Sequence, residues 1–223
     1  GYIDAVSFVI YGEPGDWAEL LWPHRWSLYS QTVTINGAQV GDYLFMLSES
    51  WYFNVGVLCH EFFHVLGAPD LYHYDGGDAP SPVGGWDVME ANTNPPQYPS
   101  AFMKYKYGDW LPDLPEIIEG GTYTLNPLQL QDNAIYKIAS PNSDSEYFVV
   151  EYRKQEGLYE SNLPGNRSGL VAYRINTNAG NGNASRPPDE IYCYRPGGTL
   201  ENDGNFELAP YNSSNNHTQL NDD

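Results

Sequence analysis

The chain is short of positive charge. Its 223 residues include 10 Lys and Arg against 29 Asp and Glu, a net charge of −19. Nucleic-acid binding needs basic patches that displace counterions, so this balance argues against that class, and equally against docking on anionic lipid surfaces. Long apolar runs are missing too. Nothing approaches the roughly 18 residues of a membrane-spanning helix, so no membrane insertion is expected. The opening "GYIDAVSFVIYG" has neither the basic flank nor the small-residue cleavage site of a secretory leader, and reads as a strand entered in mid-fold. Cysteine is scarce, with Cys59 and Cys193 alone, and free thiols are expected, Cys59 as a buried one. There are only five histidines.

What is present suffices for a folded chain of one large or two small domains, with 19 Tyr, 6 Trp and an apolar fraction of 41%. "IDAVSFVIY" reads as a strand, and "WAELLWPHRWSLYS" as a loop or short helix broken by Pro23. "QTVTINGAQVGDYLFML" reads as a hairpin turning at Asn36-Gly37. A helix follows, capped by Asn54 and ended at Gly67, with Leu58, Phe62, Val65 and Leu66 as its buried stripe. A Gly-, Pro- and Asp-rich stretch runs to Ser100, "AFMKYKYGDWL" suggests a short closing helix, and Pro112 and Pro115 mark a boundary. Beyond it "GTYTLNP", "NAIYKIAS", "EYFVVEYRK", "GLVAYRIN" and "EIYCYRP" read as strands, and the tail after Thr199 as loosely ordered.

Two of the five histidines fall one turn apart in the helix, as His60-Glu61-x-x-His64. Imidazoles at i and i+4 can share one Zn²⁺, and a glutamate beside them can deprotonate a water that the ion activates. Gly67 and Asp70 follow at intervals of three. The glycine lets the chain turn sharply, and the aspartate can return as a third ligand, with His73 as its rival and loop capping as its competing role. Downstream, "GGWDVME" sets Met89 in a tight turn of the kind found beneath such metal sites, or simply as core filling. Asp75, Asp78 and Asp87 cluster in the same Gly-rich region as a candidate Ca²⁺ site, or as turn formers.

"HEFFHVLGAPDLY", "GGWDVME" and "PSAFMKYKYGDW" together resemble the immune inhibitor A group of metzincin-type zinc metallopeptidases, and "EYFVVEYRKQEGLYESNLPG" with "GLVAYRIN" resembles the β region trailing their catalytic domain. The resemblance implies an α+β chain. A metzincin-like zinc protease domain with its active-site helix would occupy 1–115, N-terminally truncated, and an all-β, sandwich-like domain 116–223. It implies His60, His64 and Asp70 as zinc ligands, Glu61 as catalytic base and Met89 as the turn methionine. Phe63 departs from the family, which commonly has a small residue there. The function implied is zinc-dependent cleavage of peptide bonds in extracellular proteins by a secreted enzyme, with protein or peptide as substrate. Extended substrate would pair along the strand around Tyr43 to Leu47, taken as an edge. The alternative is a secreted binding or adhesion module that keeps a structural metal site.

Overall fold

In the computed structural model, which describes all residues except 76–78, 186, 215–216 and 221–223, the first sheet joins Tyr2–Ile10 (β1), His24–Ser27 (β2), Thr34–Ile35 (β3) and Ala38–Leu47 (β4). Alternation organises it. Val40, Asp42, Leu44 and Met46 of β4 turn inward, and the residues between them are less buried. Asp42 is met there by Arg25 of β2, whose Nε donates to it at 2.8 Å. Asn36 and Gly37 take the positive φ (50° and 77°) of the expected hairpin turn between β3 and β4.

Two expectations fail in this sheet. β2 lies in the stretch read as a loop or short helix. Its strand is made by cross-strand packing, with His24 stacked on its partner Phe45 at 5.5 Å. β4 is not an edge. It pairs in parallel with β1 and antiparallel with β2, so its backbone hydrogen bonds are taken on both sides.

The helix Val55–Val65 (α1) starts where Asn54 accepts the Val57 N–H at 3.0 Å, and the chain leaves it through Gly67 at φ 96°. The buried face is the unexpected one. Gly56, Val57, His60, Glu61 and Phe63 are inside, whereas Phe62 and Leu66 of the predicted stripe stand 51% and 47% exposed, and Leu58 is exposed as well. α1 lies against β2 and β4, and Val57 and Phe63 are its buried large apolar side chains, with His60 and Glu61 buried beside them and His64 half-buried. Both cysteines are free as expected, but Cys59 is exposed on this helix rather than buried.

The chain separates into two compact units, Gly1–Ala68 and Pro69–Asp223. In the second, Ile135–Ala139 (β5), Glu146–Arg153 (β6), Gly169–Asn176 (β7) and Ile191–Cys193 (β8) form an antiparallel meander. "GTYTLNP" contributes an isolated bridge at Pro127 instead of a strand, and the described residues of this unit hold one sheet rather than a sandwich pair. Ala101–Lys106 (α2), capped by Ser100, is the short helix read from the sequence. The tail past Thr199 is more ordered than expected. The Phe206 carbonyl accepts the Trp86 indole N–H at 2.9 Å, and the Arg195 guanidinium lies 3.9 Å from the Phe206 ring.

Fully buried charge ties this unit together. Arg153 of β6 grips Glu160 with two hydrogen bonds (2.7 and 2.6 Å), reaches Glu151 at 3.1 Å, and donates to the carbonyls of Trp86 and Tyr98. Glu151 accepts in turn from the Ala101 N–H and the Tyr173 hydroxyl. Glu90 sits nearby in the chain, accepting from the Val83 and Gly84 N–H groups at 2.5 Å, and burial pushes its pKa up to about 8. Because that value lies above the unfolded 4.5, the folded state holds the extra proton in between. Stability from Glu90 is therefore complete below about pH 4.5 and lost as pH rises through about 8. Urea unfolding at several pH values is expected to show stability falling across that window. The Glu90→Gln variant should flatten the fall by up to about 1.4 kcal/mol per pH unit, one proton's worth. Parallel profiles for the two proteins would contradict the burial argument.

Candidate metal centre

α1 brings His60 and His64 onto one face, and the Gly67 break returns the chain so that Asp70 joins them. One donor atom from each of the three lies within 4.8 Å of the others. The two imidazoles stand at right angles (89°), their centroids 4.8 Å apart, with Nε2 facing Nε2 at 3.2 Å. His64 Nδ1 is 2.7 Å from the Ala68 carbonyl oxygen. A carbonyl only accepts, so the proton of the neutral ring is on Nδ1 and the Nε2 lone pair is left for a metal. Two converging imidazole nitrogens and a carboxylate oxygen form a donor set that can hold a divalent transition metal. Among the described residues this is the group of such side chains arranged to do so.

Asp70 is itself buried, and the Tyr74 hydroxyl donates to its Oδ2 at 2.5 Å. Glu61, beside His60, is 7% exposed. Met89 is fully buried, and its carbonyl accepts the N–H of Leu71 at 3.0 Å, which ties the Gly-rich turn to the residue after Asp70. His73, the rival ligand, is engaged elsewhere. Its Nε2 is 2.7 Å from Asp189 Oδ1, a pair nearly closed to solvent.

The calcium reading gains no support. Asp87 is fully buried, with its oxygens accepting from the N–H groups of Met89 (2.9 Å) and Ser100 (2.6 Å), which makes it a turn former inside the protein. Asp75 is exposed, and Asp78 lies outside the described residues.

Residues 12–95, which contain the whole metal group, match the family described as the immune inhibitor A peptidase M6 catalytic domain. That stretch of the chain is similar to immune inhibitor A peptidases. Immune inhibitor A of Bacillus thuringiensis subsp. alesti is 30% identical over 122 residues, which is 44% of this chain and 17% of that relative. The chain thus spans under a fifth of the relative's length. The family match supports a peptidase, and such peptidases are metallopeptidases. It stops before the second sheet, so the likeness read over "EYFVVEYRK" and "GLVAYRIN" is not part of it. No described helix is long and apolar enough to cross a membrane.

From the sequence Tyr74, with Tyr72 and Tyr98, is only a candidate to stabilise an oxyanion, with a structural aromatic the favoured role for each, and nothing there but Asn181-Gly182 points to residues 182–184, which meet Asp70 and Tyr74 from the connection between β7 and β8. Gly182 takes φ 79°, and a Cβ added there would meet the Asp70 carbonyl at 2.6 Å.

Proposed function

We propose that this chain carries the catalytic centre of a secreted, zinc-dependent endopeptidase, with His60, His64 and Asp70 as the zinc ligands and Glu61 as general base. The observation that carries the reading is the convergence of two Nε2 atoms and a buried carboxylate next to a buried glutamate that is not one of the three donors. A purely structural zinc site is closed by four protein ligands, whereas three leave a position open for chemistry.

When bound, zinc supplies Lewis acidity toward water and a peptide carbonyl. The protein's own groups do the rest. His64 is locked by Ala68 in the tautomer that presents Nε2. Glu61 accepts the proton of the attacking water and returns it to the leaving amine. Extended substrate pairs along β2, the outer antiparallel strand that packs on α1, rather than along β4. Met89 serves as the turn methionine, its carbonyl steadying the segment that bears Asp70.

Metal analysis of the purified protein is expected to give one zinc per chain, with anomalous density at the zinc edge touching His60, His64 and Asp70. Asp70→Ala should weaken zinc binding by roughly two orders of magnitude or more, since it removes a direct ligand. Full zinc affinity in that variant, or a different third protein contact, would refute the ligand set.

A further inference from the structure

Asp70 is held from several directions at once within the Pro69–Asp223 unit. Its carbonyl accepts the Asn183 N–H at 3.1 Å, and the next residue, Leu71, donates to the Met89 carbonyl. Gly182 packs against Pro69 and the Asp70 carbonyl so closely that a Cβ there would lie 2.6 Å from both. These partners are fixed in turn. The Asn183 side chain bonds both backbone groups of Ile191 at the start of β8 (2.8 and 3.1 Å), and the Gly182 N–H donates to buried Glu190 at 2.6 Å.

The same short stretch seats Tyr74. The Tyr74 N–H donates to the Ala184 carbonyl at 3.0 Å, and its ring stands beside Tyr72 at 5.5 Å. With the backbone on both sides of Asp70 immobilised, rotation of the carboxylate is the main freedom left to that ligand. The Tyr74 hydroxyl acts on this freedom directly, through its 2.5 Å hydrogen bond to Oδ2.

We propose that Tyr74, seated by residues 182–184, is a positioning residue that orients the Asp70 carboxylate for the metal. Hydrogen-bonded partners of this kind orient a ligand before the ion arrives, and losing one commonly costs 10- to 100-fold in metal affinity. The proposal rests on Asp70 being a zinc ligand, and it gives the edge of the second sheet a part in building the site.

The test uses the whole chain and zinc alone as the probe. Tyr74→Phe removes one oxygen from a ring that is largely exposed, so the metal-free variant is expected to melt at the same temperature as the parent. Its zinc affinity, measured by competition with a chromophoric chelator, should fall by about 10- to 100-fold. The visible absorption bands of the cobalt-substituted variant should shift as the carboxylate reorients, a change that a merely structural tyrosine would not cause. Asn183→Ala, which loosens the scaffold itself, should lower zinc affinity and melting temperature together. A parent that binds zinc through Asp70 beside a Tyr74→Phe variant of equal affinity and unchanged cobalt spectrum overturns this inference and leaves the proposed function intact. A parent that binds no zinc overturns both.

Discussion

Glu61→Gln is expected to lower kcat on an unfolded protein such as casein by roughly two to four orders of magnitude, with bound zinc unchanged. The amide keeps the shape of the carboxylate but cannot take a proton, so the variant isolates proton transfer from metal binding. Glu61 is buried beside His60 yet is not one of the three clustered donors, which is why binding should survive its loss. Zinc stoichiometry and casein turnover measured on the same preparation decide the matter. Equal turnover in parent and variant would remove Glu61 from the mechanism. Loss of zinc in the variant would make it a part of the metal site instead.

Arg153→Met should be the most destabilising single change in the second unit, at about 3–5 kcal/mol in urea unfolding at neutral pH. Arg153 is fully buried and held charged by the two carboxylates it touches, Glu160 and Glu151. Removing it leaves both acids inside without their cation, and takes a donor from the carbonyls of Trp86 and Tyr98. The adjacent Lys154 is the control. Its pair with Glu156 is on the surface, so Lys154→Met should not change stability measurably. A cost for Arg153→Met no larger than that of the control would mean the cluster does not hold the unit together.

The local features of this chain were legible where a residue type leaves little choice. Asn54 and Gly67 bound α1, Asn36-Gly37 turns the hairpin, and β-branched and aromatic runs give β5, β6, β7 and β8. The cluster of His60, His64 and Asp70 was legible because the three residues are close in sequence. What failed depended on partners far along the chain. Leu58, Phe62 and Leu66 have the spacing of a buried stripe, but spacing does not say which face meets β2 and β4. β4 passed for an edge because the strand that covers its other side, β2, hides in a segment with no alternation. Asp87 resembled a loop ligand, and only the fold shows it bonded to Met89 and Ser100. Tyr74 and residues 182–184 were invisible as a unit, since more than a hundred positions of intervening chain separate them.

The closeness in sequence of His60, His64 and Asp70 also reaches into the denatured chain. Closing so short a loop costs little conformational entropy, so the unfolded polypeptide can gather the same side chains around an ion, loosely and for part of the time. A ligand that binds both states stabilises only by the difference between its two affinities. Zinc held as proposed would therefore protect this fold against unfolding by less than its native dissociation constant alone would imply, and raising its concentration would widen that shortfall rather than close it.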